Sequence, residues 1–385
     1  MKFSSRTSWD LGPNRLASAL AEARAAGREI LDLTESNPTR CGFQYNEREI
    51  LGALSDQQSL VYEPEPRGLP RAREAVAGYY TARGAEISSE QIFLTTSTSE
   101  GHSHLFRLLC DAGDEVLAPS PSYPLFDFLA ALDNVRLVRY PLVYDHGWQI
   151  DLHALEQAIT PRTRAVMLVH PNNPTGSYVS AGERDALNAL CRERGLALVA
   201  DEVFLDYPHD GPARTSFAGN AEALTFVLSG LSKIAALPQM KAAWVAASGP
   251  QELVAAATAR LEVIADTFLS MNAPVQHALP VLLAQRVNEQ IQARVARNLA
   301  ELDRQLGAQK PVSRLNVEAG WYAVLRVPAV GNDDDLAVEL VRREGVLAHP
   351  GHFYDFQREG FLVVSLIAPV AAFAEGMKRV LRVVG

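Results

Sequence analysis

The stretch "RAVMLVHPNNPTG", Arg164 to Gly176, joins two unlike halves. Its first half carries the unbroken apolar run Ala165 to Val169. A strand with one wet face would alternate apolar and polar residues. An unbroken run is how a strand buried on both faces reads, and it favours a mostly parallel sheet covered by helices. The second half brackets two asparagines with prolines and ends in glycine, so the chain must turn there. The same pairing of apolar run and polar turn recurs along the chain. Further strand candidates are "QIFLTT" (91–96), "EVLAPS" (115–120), "VRLVRY" (135–140), "LALVA" (196–200), "LTFVLS" (224–229) and "AAWVAAS" (242–248), with helical stretches between them. The expected fold class is α/β: a three-layer αβα large domain with a mostly parallel sheet.

Downstream, Val287, Ile291, Val295, Leu299, Leu302 and Leu306 recur at helical spacing, with Gly307 as a stop. Strand-like "WYAVLRV" (321–327), a helix near 333–344, strand-like "GFLVVSLI" (360–367) and a closing helix follow. These predict a smaller α+β domain, which the N-terminal segment joins with a helix near 13–26. The expected division is 46–280 for the large domain, and 1–45 with 281–385 for the small one.

The chain of 385 residues has a net charge of −9, which argues against a nucleic-acid or anionic-membrane surface. No run of 18 apolar residues predicts a membrane span, and "MKFSSRTSWD" lacks the apolar centre of a secretory signal. Cys41, Cys110 and Cys191 are scattered and read as reduced structural thiols of a cytoplasmic protein. No metal site is expected.

In an open α/β sheet, ligands sit beyond the carboxyl ends of the strands. Four runs end in chemically useful groups: "STSEG" (97–101), "PNNPTG" (171–176), "DEVF" (201–204) and "GLSK" (230–233). Hydroxyls and free backbone N–H groups at a helix start suit a phosphate, although "STSEG" alone also fits a plain helix cap. Asp201 ends a buried strand and needs a cationic or donor partner, such as a protonated ring nitrogen or a salt bridge. Asn173 carries an amide inside a rigid turn. Lys233 alone would read as a lysine snorkelling to the surface. With the other three clusters it reads as a nucleophile, its pKa lowered by desolvation and by a nearby cation, for which Lys241 is the candidate. A phosphate site, a partner for a protonated ring nitrogen and a reactive lysine describe pyridoxal phosphate held as a Schiff base.

At these residues the chain resembles the class I/II aminotransferases, the aspartate-aminotransferase-like, fold type I enzymes that use pyridoxal 5′-phosphate. The motifs that carry the resemblance are "PNNPTG", then "DEVF", then "SGLSK", in order and spacing, with "GDEVLAPSPSYPLF" (113–126) and "YEPEPRGLPRAREAVAGYY" (62–80) beside them. The resemblance implies that Lys233 carries the cofactor and shuttles the substrate proton. It implies that Asp201 pairs with the ring nitrogen, that Asn173 donates to the ring's phenolic oxygen and that Tyr123 stacks on the ring. Ser97, Thr98, Ser99, Ser232 and Lys241 would bind the phosphate, and Tyr62 would reach the phosphate of a partner subunit, so a homodimer is expected. Amino donor and 2-oxo acceptor would be small molecules. A lyase, decarboxylase or cyclase on the same cofactor is the alternative.

Three positions depart from the family pattern. Phe204 stands where a tyrosine donor is usual, and Lys241 where an arginine is usual. In "FLVVSLIAP" (361–369), Val363 stands where the resemblance places the arginine that clamps the substrate carboxylate. Candidate substitutes are Arg40, with Asn37, in "ESNPTRCGF", and His349 or His352 in "HPGHFYDF".

Overall fold

The computed structural model describes residues 1–385 apart from 212–213, 310 and 385. Eight strands form the main sheet: β1 (Ile92–Thr95), β2 (Glu115–Ser120), β3 (Arg136–Tyr144), β4 (Trp148–Ile150), β5 (Thr163–Val169), β6 (Ala197–Asp201), β7 (Thr225–Gly230) and β8 (Ala243–Ser248). Their order is β1-β8-β7-β6-β5-β2-β3-β4. The five central strands, β7-β6-β5-β2-β3, run parallel, and β8 and β4 are antiparallel to their inner neighbours. All seven apolar runs are strands of this sheet.

Period-two alternation explains why those runs are unbroken. In β5, Val166 and Leu168 enter one core with the helices Pro70–Thr81, Ala181–Arg194 and Ala273–Leu283. Ala165, Met167 and Val169 enter a second core with the helices Thr98–Leu109, Leu125–Leu132 and Gln251–Phe268. Each face of the sheet is covered, so consecutive residues in the middle of β2, β5, β6 and β7 are apolar, and polar residues gather at the ends of these strands.

A second sheet of four antiparallel strands follows: β9 (Ser313–Arg314), β10 (Tyr322–Arg326), β11 (His349–Pro350) and β12 (Phe361–Ser365), in the order β9-β10-β12-β11. Ile291, Val295 and Leu302 of the helix Val287–Leu306 pack in its core with Phe373, Met377 and Val380 of the helix Val370–Val384. The helix read near 333–344 is α-helical over Asp333–Glu339 and closes in one wider turn, Leu340–Glu344.

The N-terminal chain packs here too. Leu31–Asp32 pairs in parallel with Val346–Leu347. Ala19 and Ala23 of the helix Arg15–Ala25 meet Val338 and Val341. Phe204, Tyr207 and Ala236, which follow strands of the main sheet, share a hydrophobic cluster with this region. That cluster joins the small sheet to the ends of the main one.

The turn after β5 is pinned from both sides. Asn172 N–H donates to Ser177 O at 2.8 Å, and Gly176 O accepts from Glu318 N–H at 3.2 Å. Gly176 has φ +69°, and a Cβ there would stand 2.3 Å from Ala319 O. Gly176→Ala should therefore destabilise the fold by about 2–4 kcal/mol, through left-handed strain and a clash with backbone. Denaturant unfolding checks this; a loss below about 0.5 kcal/mol, the scale of an ordinary surface change, would show that the turn has room to shift.

Candidate active site

The turns after β1, β5, β6 and β7 meet at a cavity of about 320 Å³. Ser97, Thr98, Ser99, Asn173, Asp201, Ser232, Lys233, Lys241 and Tyr123 all line it. Parallel strands explain the convergence, since their carboxyl ends lie along one edge of the sheet.

Lys233 lies in a single helical turn, Leu231–Ile234, directly after β7. The turn is tied down by backbone and side-chain bonds. Leu231 N–H donates to Ala242 O at 2.9 Å, Tyr207 Oη–H donates to the Lys233 carbonyl, and Tyr45 Oη–H donates to Ala236 O at 2.9 Å. Ala236 and Lys241 both hold positive φ, 56° and 52°, a conformation that residues with side chains adopt at a cost. Gly230 admits no side chain, because a Cβ would lie 2.8 Å from Ala243 Cβ and 2.9 Å from Ala242 O.

The Lys233 amine sits 4.6 Å from the centre of the Trp321 ring and 5.4 Å from that of Phe204. Burial pulls its pKa down to about 8, against the opposing pull of Asp201. This corrects one expectation. Lys241 is exposed and is not among the causes of the shift, so desolvation rather than a neighbouring cation activates the amine.

Asp201 ends β6 and is 6% exposed. Its Oδ1 accepts from Val203 N–H at 3.1 Å, and its Oδ2 lies 3.3 Å from His102 Nε2. His102 is buried on the helix Thr98–Leu109 and packs edge-on against Phe126 at 5.1 Å. Its other ring nitrogen has no partner among the described residues. Sequence reading missed His102, since nothing near it in the chain shows that the helix delivers it to Asp201.

Ser97 is the N-cap of that helix, its Oγ accepting from Glu100 N–H at 3.1 Å. The plain-cap reading thus holds for the Ser97 side chain, and it leaves the first-turn N–H groups of Thr98 and Ser99 beside the cavity. Asn173 is 7% exposed and its Oδ1 has no partner among the described residues. An amide accepts through Oδ1 and donates through Nδ2, so the unused Oδ1 calls for a donor, and Nδ2 is the atom that could serve an acceptor in the cavity. Tyr123 meets Phe126 edge-on at 5.9 Å.

The other expected residues are placed elsewhere. Arg40 and His352 are exposed and do not line the cavity. Asn37 is half-buried and its Oδ1 accepts from Thr39 Oγ1–H at 2.8 Å, capping a short turn. Tyr62 is 79% exposed on another part of the surface, with Glu63 and Met271 in a separate cleft. Ser36, Val203 and Tyr322 line the cavity without having been singled out. Phe204 is 2% exposed and packs on Trp321 with ring centres 5.3 Å apart.

The sequence profile of aminotransferase class I and II matches residues 29–372. The chain belongs to that family. It is 30% identical over 259 residues to the glutamate-pyruvate aminotransferase AlaA of Escherichia coli K12, an alignment spanning 67% of this chain and 64% of the relative. It is 30% identical over 345 residues to the alanine aminotransferase of Mycobacterium tuberculosis H37Rv, covering 86% of this chain and 80% of the relative. In fold it is similar to an aminotransferase from Escherichia coli, with TM-score 0.89, 25% identity and 99% and 98% of the two chains covered.

The family's cofactor is pyridoxal phosphate. The residues present fit it: an amine with a lowered pKa, a buried carboxylate, an amide with an unused atom and a helix N-terminus share one cavity. In the apoprotein, modification of Lys233 by trinitrobenzenesulfonate should rise with pH about a midpoint near 8, since only the neutral amine reacts. An ordinary lysine would show a midpoint of about 10.4. Peptide mapping across a pH series reads this directly, and a midpoint above about 10 would mean the amine is as solvated as a surface lysine.

Proposed function

We propose that this protein is a pyridoxal-phosphate-dependent aminotransferase that moves an amino group from an amino acid or amine to a 2-oxo acid. The observation that carries the reading is the desolvated amine of Lys233 sharing one cavity with Asp201 and Asn173. The names of the two relatives support transamination over the lyase, decarboxylase and cyclase alternatives.

When bound, the cofactor supplies an electron sink for the bond broken at the substrate carbon. Lys233 would hold the cofactor covalently and, as a neutral amine, would carry the proton at the substrate's α-carbon. Asp201 keeps a proton on the ring nitrogen, and His102 with Val203 N–H holds the carboxylate in place. Asn173 would donate to the phenolic oxygen through Nδ2, and Tyr123 would cover the ring. Thr98, Ser99, Ser232 and Lys241 would take the phosphate together with the Ser97 segment. Tyr62, exposed in the single chain, serves a partner's phosphate in a homodimer. The bodies are 46–280 and 1–45 with 281–385, and the site lies where the shared hydrophobic cluster joins them. Among the described residues no helix is long and apolar enough to cross a membrane, and the three cysteines are free. Both suit the cytoplasm.

Lys233→Ala should abolish turnover while leaving phosphate-anchored cofactor bound. Steady-state rates and the cofactor-to-protein ratio measure the two effects, and wild-type activity in the variant would end the proposal. Phe204→Tyr restores a donor near the phenolic oxygen. It should move the pH titration of the bound cofactor's visible band downward by about one unit, because a donor stabilises the anionic oxygen. An unmoved or upward-shifted midpoint would show that Phe204 does not face that oxygen.

A further inference from the structure

Register identifies which residues of the small sheet share a face with the cavity-lining Tyr322. Residues directly opposite in an antiparallel pair point to the same side, and side chains alternate along a strand. Tyr322 pairs with Ser365, Val324 with Val363, and Val363 also with His349. These five therefore share one face, and Tyr322 lines the cavity. The face offers hydroxyls, two valines and one imidazole, but no cation.

The imidazole stays neutral. Burial holds the pKa of His349 at about 4, with only Asp32 pulling upward. The ring stacks on Phe353 at 4.5 Å, and its Nδ1 lies 3.3 Å from Tyr354 Oη. The Tyr354 ring packs against that of Tyr322 with centres 6.2 Å apart, and Ser36 and Tyr322 line the cavity together. The His349–Tyr354 pair thus stands behind Tyr322, and the neutral polar groups that this side brings to the cavity wall are the hydroxyls of Ser36 and Tyr322. The basic side chains lining the cavity among the described residues are Lys233 and Lys241, and the proposed function uses both for the cofactor.

We propose that the carboxyl end of the substrate is held by the neutral hydroxyls of Ser36 and Tyr322, on a sheet face where Val363 excludes a cation, so that the site accepts 2-amino acids and their uncharged amides with similar affinity. This rests on the aminotransferase reading for the identity of the substrate. Its physical content is separate. A guanidinium prefers a carboxylate to an amide because the bonds are charge-assisted and paired, and hydroxyls lack that preference.

The test uses holoenzyme and two unreactive probes, 3-phenylpropionate and 3-phenylpropionamide, with dissociation constants from calorimetry. The constants should differ by less than about thirtyfold, because no charge-assisted pair separates the two ligands. Tyr322→Phe and Ser36→Ala should each weaken both probes by about fivefold or more, the scale of one neutral hydrogen bond, while the cofactor's visible band stays as in the wild type. An acid-over-amide preference of about thirtyfold or more, which only a cation explains, overturns the proposal. So does failure of either probe to bind, or unchanged affinity in both variants. If the probes behave as expected but no amino donor is turned over, transamination fails and the recognition mode stands. If donors are turned over and the acid is strongly preferred, the recognition mode alone fails.

Discussion

Holding an amine out of water beside a carboxylate is the constraint on which this site depends. Lys233 must lose solvation to become a nucleophile near neutral pH, and an ion pair in contact would undo that. The fold resolves the conflict by distance and by partners. The amine is set over the Trp321 and Phe204 rings, while Asp201 is occupied by Val203 N–H and His102. Asp201 still pulls the lysine upward, but burial outweighs it. Neither group could be placed this way on a mobile loop. Each follows a strand of the main sheet by at most a few residues, and the lysine turn is anchored by Tyr207 and Tyr45.

The rigid support comes from the same alternation that makes the core. Every central strand sends one set of side chains to each covering layer, so its direction and height are set by two packed interfaces. Strands held in this way end in register, and the turns that leave them open onto one edge. The cluster of Phe204, Tyr207 and Trp321 then ties that edge to the small sheet. An aromatic wall of this kind does two jobs. It packs the junction between the sheets, and it keeps water from the lysine.

The two walls of the cavity are built on different physics. The main-sheet wall carries Asp201, Lys233 and a helix N-terminus, whereas the small sheet contributes Tyr322, on a face it shares with Val324, Val363 and His349. A neutral wall costs little to desolvate and discriminates by shape and hydrogen bonding. Val363, the departure that removes a cation, belongs to that small-sheet face, while Lys233, Asp201 and Asn173 keep the family pattern and Phe204 and Lys241 depart from it.

Much of this was legible in the sequence. Strands β1 to β8 could be read because two-sided burial forces apolar residues at consecutive positions, apart from the short edge strand β4. Asn173, Asp201 and Lys233 could be read because each stands directly after such a run. His102 could not, since it meets Asp201 from 99 residues away in the chain, across a helix–sheet interface that no local pattern encodes. Nor could sequence choose between His349 and His352, which are three residues apart. Strand pairing puts His349 on the sheet face of Tyr322, His352 is exposed, and neither lines the cavity. Likewise, of the two causes expected to lower the lysine pKa, only desolvation acts and Lys241 does not, because burial is a property of the packed whole. Sequence by itself determined the layered fold and the order of chemical groups along one sheet edge, because hydrophobic periodicity and turn residues act locally. Only the tertiary structure decided which groups touch, which are desolvated and which line the cavity, because those depend on packing between segments far apart in the chain.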